Sequence, residues 1–152
     1  MKLVELLDQR GIPFERTTHP AAYTAQALAA EEHVSGYRVA KPVLVKGEDG
    51  FLMCVVPACA HLDVQTLGRL LRDSDVRLAT ESEMATVFPD CELGAEPPIG
   101  EIFGMETIMD DSLRDEDYLL FQSGTHTEAV KIRREDYEEL AHPRIESIAS
   151  YG

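Results

Sequence analysis

The sequence predicts a mixed α/β fold in which a largely antiparallel sheet is surrounded by helices. Two apolar runs, residues 38–46 and 51–56, flank a glycine-containing turn at residues 47–50, which is typical of a β-hairpin. Helical segments and short strand-like segments follow one another along the rest of the chain. Because neighbouring strands are joined by short turns rather than by regular helical crossovers, we do not expect a doubly wound parallel sheet.

Length and composition fit one globular domain that spans residues 1–152. Of the 152 residues, 44% are apolar and 28% are charged, which is ordinary for a soluble protein with one hydrophobic core. No apolar run approaches the ~20 residues that cross a bilayer. The first residues lack the long apolar core of a signal peptide. We therefore expect a cytoplasmic protein with no membrane partner.

The charge balance limits the kinds of partner. The net charge is −14 at pH 7, whereas binding to nucleic-acid phosphates needs clustered lysine and arginine. This composition argues against nonspecific binding to nucleic acid, and we expect no DNA partner, although a local basic site remains compatible with it. The three cysteines have no metal-binding spacing, and we expect Cys54 to be a small buried thiol rather than part of a disulfide.

The first elements follow from apolar spacing and from end signals. Residues 2–9 carry leucine and valine at helical spacing, and Gly11 can end this helix. Residues 14–18 form a short β-like segment that a proline interrupts. Thr24 can cap a second helix, filled with alanine and glutamate, which we expect to reach about residue 33.

Three further elements are expected after the hairpin. Residues 62–71 carry valine and leucines at helical spacing, and residues 76–79 read as a short strand. Thr80 followed by Glu83 is a capping box, in which each side chain bonds the backbone of the other residue. A short helix should therefore continue from this box to Val87.

The C-terminal half is predicted to contain more strands than helices. A turn-rich loop at residues 89–100 holds two glycines and three prolines. One or two short strands should lie within residues 102–109, a buried strand at residues 118–121 and an alternating strand at residues 128–132. Residues 133–140 then form the final helix.

Lys41 is the most unusual residue of the predicted hairpin. Side chains on a strand alternate between two faces, so Lys41 shares a face with Val39 and Val43, while Lys46 lies on the opposite face. The adjacent Pro42 confines this point to the edge or the start of a strand. A lysine on an apolar face either meets an anionic partner or lays its stem along the core with its ammonium in solvent.

Two other segments could carry chemistry. The loop from Gly94 to Gly100 can bring backbone N–H groups close to a carbonyl or phosphate, although its prolines could equally make it a plain surface loop. Residues 123–126, Ser-Gly-Thr-His, place an imidazole between two strands, so His126 could orient a substrate or act as a base. The alternative is a turn whose hydroxyls bond local backbone. Since the histidines have no ligand spacing, we predict no metal and no cofactor.

These three segments, in this order, resemble the YbaK / prolyl-tRNA synthetase editing-domain superfamily. The matching stretches are Val39-Ala40-Lys41 with the apolar strand after it, the loop at residues 94–100, and the glycine-bearing closing strand at residues 123–130. The resemblance covers nearly the whole chain. It implies a compact mixed α/β fold with a twisted, barrel-like sheet. It also implies hydrolysis of the ester between a wrong amino acid and the 3′-terminal adenosine of tRNA.

The resemblance implies roles for individual residues. Lys41 would meet the terminal phosphate or ribose of the tRNA, with Lys46 as a competing candidate. Backbone N–H groups between Gly94 and Gly100 would hold the ester carbonyl as it becomes an oxyanion, while water attacks with help from a ribose hydroxyl. The residues assigned to the substrate side by this resemblance are Pro98, Gly124, Thr125 and His126.

The expected substrate is a mischarged tRNA that carries a small amino acid such as alanine, cysteine or serine. Because the chain offers little basic surface, we expect recognition mostly of the acceptor end, or an aminoacyl-tRNA synthetase partner that supplies the remaining contacts. Two alternatives stay open. One is a non-catalytic module that binds an aminoacyl-adenosine or another nucleotide, and the other is a synthetase-interacting domain that uses its acidic face.

Overall fold

The fold consists of five helices and ten strands within residues 2–151, the part of the chain that this computed structural model describes. The helices are α1 (Lys2–Gln9), α2 (Ala25–Glu31), α3 (Val64–Leu71), α4 (Glu81–Val87) and α5 (Arg134–Ala141). The strands are β1 (Phe14–Thr18), β2 (Ala40–Gly47), β3 (Gly50–Pro57), β4 (His61–Leu62), β5 (Arg77–Leu78), β6 (Thr107–Asp110), β7 (Tyr118–Gln122), β8 (Glu128–Arg133), β9 (Arg144–Glu146) and β10 (Ala149–Ser150). Short 3-10 turns occupy Gly36–Arg38, Gly100–Phe103 and Asp111–Asp115.

The strands form three sheets, in the orders β5-β2-β3-β6-β9, β1-β8-β7 and β10-β4. The mixed α/β class and the largely antiparallel pairing are confirmed, and among the described strands only the pairs β3–β6 and β6–β9 are parallel. The sheet is not closed into a barrel. The strands of the β1-β8-β7 sheet pair among themselves and meet the hairpin through the single bridge Val39–Leu120.

The predicted hairpin is present, and both of its faces are covered. β2 and β3 pair in one continuous register from Ala40–Pro57 to Gly47–Gly50. Alternate residues of β3 enter different apolar clusters: Met53 packs in the cluster that contains α1, and Cys54 in the cluster that contains α3. β3 is therefore buried on both sides, as its unbroken apolar run requires, and the expectation that Cys54 is a buried thiol is confirmed.

Local hydrogen bonds explain where the helices begin. Thr24 Oγ1 accepts from the Ala27 N–H at 3.0 Å at the start of α2. At the start of α4, Thr80 and Glu83 form both bonds of the predicted capping box. The apolar residues Leu3 and Leu7 of α1 are fully buried, which is the outcome expected from their helical spacing.

The short strands match the sequence expectations in part. Of the one or two strands expected within residues 102–109 the structure has one, β6, because a 3-10 turn occupies Gly100–Phe103 and ends at Gly104, whose φ of 75° is in the left-handed region. The strands β4, β9 and β10 were not predicted. Each has two or three residues and is formed by pairing with distant segments, as in Ala149–Leu62.

The start of β2 has a partner among the strands described above on one side only, which leaves its other edge open to a ligand. β2 pairs with β3 along its whole length, but with β5 only at Val45 and Lys46. Lys41 and Pro42 therefore lie on an edge that no strand of residues 2–151 covers, as the proline predicted. No helix in the described part of the chain is long and apolar enough to span a membrane.

Candidate functional site

A cleft of about 380 Å³ lies beside the uncovered edge of β2. Six segments supply its walls: the start of β2, the region where α2 begins, the segment from the end of β3 to β4, helix α4, the Gly94–Glu96 part of the proline-rich loop, and the end of β7. The lining includes the polar side chains of Tyr23, Gln26, Lys41, His61, Glu96 and Gln122. Two of the segments predicted to carry chemistry, at Lys41 and at Gly94, therefore meet at one cleft.

Lys41 presents a half-buried ammonium to this cleft. Its Nζ donates to the Ala60 carbonyl at 2.5 Å. Burial lowers the pKa of Lys41 from its ordinary value, and nearby Cys59 offsets part of that effect. An ammonium has three donors, so the bond to Ala60 leaves others for a ligand. An anion in the cleft would be attracted more strongly here than at an exposed lysine, because part of the water around the ammonium is already removed.

The loop from Gly94 to Gly100 has few uncommitted backbone donors. Pro97 and Pro98 have no N–H. Three other N–H groups bond inside the protein, and these belong to Ala95, Ile99 and Gly100. The N–H groups of Gly94 and Glu96 face the Glu96 carboxyl. These two groups are therefore the donors of the loop that an anionic oxygen in the cleft could use.

Glu96 is a buried acid in the wall of the cleft. The residue is only 2% exposed, and its Oε2 has no hydrogen-bond partner within the described residues. Burial raises the pKa of Glu96, and the backbone N–H groups of Glu96 and Gly94 counteract this in part. A buried carboxyl with an unsatisfied oxygen, in the same cleft as a desolvated lysine, is typical of a functional site rather than of a surface loop.

His126 is held in place just behind the cleft wall. Its backbone N–H donates to Glu92 Oε1 at 2.7 Å, and its Nδ1 donates to the Ala22 carbonyl at 3.2 Å. The imidazole packs against the ring of Tyr23, which lines the cleft, with 4.9 Å between ring centroids. Because Nδ1 carries the proton in this arrangement, the neutral ring has its lone pair on Nε2.

Gly124 connects the His126 segment to the proline-rich loop. Its N–H donates to the Ala95 carbonyl at 2.7 Å, and its carbonyl accepts from the Glu92 N–H at 2.8 Å. Its φ of 109° lies where glycine is favoured. This connection brings His126 close to Gly94: a Cβ placed on Gly94 would be 3.9 Å from His126 Cε1.

Two of the predicted loop residues lie outside the cleft. Gly100 is packed in the interior, where a Cβ would come within 2.7 Å of the Met105 carbonyl oxygen. Pro98 gives its carbonyl to the buried hydroxyl of Tyr137, which donates at 2.5 Å. The far half of the loop therefore anchors it to the core, and only its first half faces the cleft.

Two other predicted residues also lie apart from the cleft. Lys46 is at the opposite end of β2 from Lys41, and its Nζ is 4.3 Å from the ring centroid of Phe51. Thr125 directs its Oγ1 toward Thr127 Oγ1, at 3.4 Å, and does not line the cleft. The structure thus places Lys41 at the cleft and Lys46 outside it.

Most cleft residues, Tyr23, Gln122 and Glu96 among them, were not singled out from the sequence. Tyr23 precedes the cap of α2, and Gln122 ends the apolar strand β7, where its Nε2 donates to the Ala22 carbonyl at 2.6 Å. Gln122 could have been predicted as a site residue, because it is a polar residue at the end of an otherwise apolar strand. Glu96 gave no such signal, because an acid between an alanine and two prolines is ordinarily exposed.

Residues 2–151 contain no group of three or more histidine, cysteine or acidic side chains arranged to hold a metal ion. The groups that the cleft offers include a cation, a buried acid, a pair of backbone N–H groups and the imidazole of His61, with a second imidazole, that of His126, behind the wall. This set can bind an anion and stabilise negative charge on a carbonyl oxygen.

Solved structures share this fold at low sequence identity. A candidate trans-editing enzyme for prolyl tRNA synthetase is 20% identical with a TM-score of 0.86, covering 98% of this chain and 95% of that chain. The hypothetical protein APE2540 is 18% identical with a TM-score of 0.89, covering 99% and 100%. A candidate signal transduction protein from Marinobacter aquaeolei VT8 is 16% identical with a TM-score of 0.77, and the match covers 98% of this chain but 30% of that one.

A search of curated proteins gives no match to this chain. A family model described as an aminoacyl-tRNA editing domain matches residues 19–140. This range holds every residue that lines the cleft, together with His126. The family predicted from the three sequence segments is confirmed, and this chain belongs to the aminoacyl-tRNA editing domain family.

Proposed function

We propose that this protein is a trans-editing deacylase that hydrolyses the ester of a mischarged tRNA carrying a small amino acid. The observation that supports this most is the meeting of Lys41, Gly94 and Glu96 at one cleft, within a chain of the editing family. These residues come from two distant segments and supply the charge and the donors that an ester on a nucleotide requires.

In this proposal Lys41 binds the phosphate that joins the terminal adenosine to the rest of the tRNA. Its ammonium keeps donors free beyond the bond to Ala60, and its partial burial strengthens attraction to a phosphate. Phosphate binding would also move the pKa of Lys41 back toward its ordinary value, since an anion favours the charged amine. Lys46 is not given this role, because it lies over Phe51 at the other end of the strand.

The ester carbonyl is proposed to lie against the N–H groups of Gly94 and Glu96. These N–H groups face the Glu96 carboxyl in the free protein, so the ester oxygen would have to replace that carboxyl as their acceptor. Each donor aimed at a developing oxyanion contributes about 3–4 kcal/mol of transition-state stabilisation. Gly100, which the sequence analysis included here, is left out because its N–H already donates to Thr107 Oγ1 at 2.8 Å.

Water is proposed to attack the ester carbon. The carbon–oxygen bond to the ribose then breaks, the ribose hydroxyl leaves with a proton, and the free amino acid and the tRNA are released. As the family resemblance implies, a neighbouring ribose hydroxyl assists the water rather than a protein nucleophile. His126 is positioned by Glu92 and Ala22 with its lone pair on Nε2, and it supports the substrate from behind Tyr23.

The small amino acid and the partners belong to the same proposal. Ligand sites range from about 300 to 1,000 Å³, and a cleft of about 380 Å³ that must also hold the adenosine leaves little room for a large side chain, which favours alanine, cysteine or serine. Because the net charge is −14, the protein is proposed to bind mainly the acceptor end of the tRNA. It is also proposed to be a single domain that acts in the cytoplasm. Prolyl-tRNA synthetase is the proposed source of further tRNA contacts, by analogy with the trans-editing neighbour.

The test is deacylation of tRNAs mischarged with alanine, cysteine or serine by the purified protein. At least one of these tRNAs should lose its amino acid faster than in buffer, and Lys41→Ala should abolish most of the acceleration. If no mischarged tRNA is deacylated faster than in buffer, the enzyme proposal fails. Saturable binding of an amide-linked aminoacyl-adenosine analogue without turnover would then select the non-catalytic binding module.

A further inference from the structure

We propose that Tyr37 and Tyr151 form a stacking platform for the unpaired bases that precede the terminal adenosine of the acceptor end. This inference rests on the proposed function, because it places the terminal adenosine in the cleft. The two rings lie side by side with 6.0 Å between centroids and 34° between planes. Tyr37 is 52% exposed and Tyr151 is 51% exposed, so each ring keeps much of its surface in water.

The platform is continuous with the wall of the cleft. Gly36, which precedes Tyr37, accepts from the N–H of Ala58, and Ala58 lines the cleft. Ser150, which precedes Tyr151, pairs with His61, and His61 also lines the cleft. The residue before each tyrosine is therefore bonded to a residue of the cleft lining, and both of these lining residues belong to the segment 58–61.

Lys41 indicates that a bound strand would leave the cleft on this side. Its Nζ donates to the Ala60 carbonyl, and Ala60 is the neighbour of His61 along the chain. A phosphate held by Lys41 is the link between the terminal adenosine and the preceding nucleotide. The preceding base would accordingly emerge next to His61, whose strand partner Ser150 directly precedes the exposed Tyr151.

Charge makes stacking the more suitable contact for this strand. The net charge is −14, and the nearby cation Arg38 is already paired with Glu116 at 3.1 Å. Stacking of a base on an aromatic ring needs no positive charge and tolerates any base. A base stacked on an aromatic side chain typically gains about 5- to 150-fold in affinity.

The experiment compares aminoacyl-adenosine 5′-monophosphate, which carries the phosphate proposed for Lys41, with the aminoacylated trinucleotide CpCpA, using the protein as it exists and the double variant Tyr37→Leu/Tyr151→Leu. The wild-type protein should have a kcat/KM for the trinucleotide at least about 5-fold above that for the aminoacylated monophosphate. The double variant should lose this preference while its kcat/KM for the aminoacylated monophosphate stays unchanged. A double variant that keeps the preference would overturn the platform.

Two controls keep this result interpretable. Tyr37→Phe/Tyr151→Phe retains both rings and should retain the preference for CpCpA. Tyr118→Leu removes a 39% exposed tyrosine that contacts Lys131 and is outside the cleft lining, and it should also leave the preference intact. Loss of the preference in Tyr118→Leu would mean that any exposed tyrosine has this effect, and would contradict the proposal.

A binding measurement separates this inference from the deacylase proposal. Fluorescence anisotropy with labelled, unacylated CpCpA needs no turnover. If the wild-type protein deacylates no mischarged tRNA, the deacylase proposal fails, yet weaker CpCpA binding by the leucine double variant would still support the platform. Equal binding by the wild-type protein and the leucine double variant would overturn it.

Discussion

Strand β2 and the loop of residues 94–100 each have one end at the cleft and one end away from it. Lys41 and Lys46 stand on the same strand, and Gly94 and Gly100 stand on the same loop. In each pair the residue type is identical and only the surroundings differ. The comparison shows that a motif defines a segment, whereas the packing around each residue decides which end of that segment can do chemistry.

The physical differences within the pairs are large. Lys41 is desolvated and bonded to a carbonyl, and its pKa is lowered, whereas Lys46 lies over the Phe51 ring. Gly94 has a φ of 84° and no close obstacle, whereas Gly100 is surrounded by backbone atoms. Substitutions of Lys41 and Gly94 should therefore reduce activity. Substitutions of Lys46 and Gly100 should instead reduce stability or have little effect.

Lys41→Ala should affect activity most. Removing a hydrogen bond to a charged group costs about 1.5–3 kcal/mol, so kcat/KM for a mischarged tRNA should fall roughly 10- to 100-fold. Lys41→Arg keeps the charge and should recover part of the loss. Steady-state deacylation assays measure these changes, with the thermal unfolding midpoint as a check on folding. Unchanged kcat/KM in Lys41→Ala would remove the cation from the mechanism.

Gly100→Ala should mainly lower stability. Its Cβ would be within 2.7 Å of the Met105 carbonyl oxygen and of Thr107 Oγ1, so the core must shift. Overpacking of this kind costs about 1–3 kcal/mol, or a fall of roughly 2–12 °C in Tm. Calorimetry on the purified variant measures it. Full stability with lost activity would instead indicate that Gly100 acts on the substrate.

Gly94→Ala should cost about 1–2 kcal/mol through backbone strain, because its φ of 84° is unfavourable for alanine. It should also lower kcat, since the strained loop carries the N–H groups proposed for the ester. Gly104→Ala is the matched control, because Gly104 has a φ of 75° with open space around it. The control should show a similar loss of stability with unchanged kcat. Equal kcat in both variants would count against a role of Gly94 in the site.

Glu96→Gln should change how stability depends on pH. Burial raises the pKa of Glu96, so the folded protein keeps a proton that the unfolded chain has already released. The wild-type free energy of unfolding should therefore fall as pH rises from the ordinary glutamate range through the folded pKa. Urea unfolding at several pH values measures this fall, which the glutamine variant should lack.

The control for this experiment is Glu101→Gln, a change at an exposed position in the adjacent turn. This variant should follow the pH dependence of the wild-type protein. If Glu96→Gln and the wild-type protein also share one pH dependence, the carboxyl of residue 96 is not desolvated as described.

Lys46→Ala should have the smallest effect. Its contact with the Phe51 ring contributes about 0.5–1 kcal/mol at an exposed site. Stability should decrease by no more than this, and kcat/KM should remain within about twofold of the wild-type value. A loss of kcat/KM as large as that of Lys41→Ala would reverse the assignment of the two lysines.

Much of the fold followed from local signals in the sequence. The bounds of α1, the cap at Thr24 and the capping box at Thr80 depend on spacing within a few residues, and the structure has all three. The short strands depend on partners far along the chain, as in Ala149–Leu62, and no local pattern encodes them. Of the one or two strands expected around Gly104, the one that follows it, β6, is present.

The candidate site was predictable only in part, for the same reason. Strand alternation and the edge proline pointed to Lys41 because both are local properties. The burial of Glu96 arises because Gly124 ties its loop to the end of β7, which is a tertiary contact. The different positions of Gly94 and Gly100 also depend on packing, since the sequence treats the two glycines alike.

Amide chemical-shift mapping with a nonhydrolysable, amide-linked aminoacyl-adenosine monophosphate can separate the two ends of these segments in one titration. The backbone amides of Lys41, Gly94 and Glu96 should shift and saturate together, while those of Lys46 and Gly100 remain unchanged. Shifts centred on Lys46 and Gly100, with none at Lys41 and Gly94, would contradict the assignment of the cleft as the site.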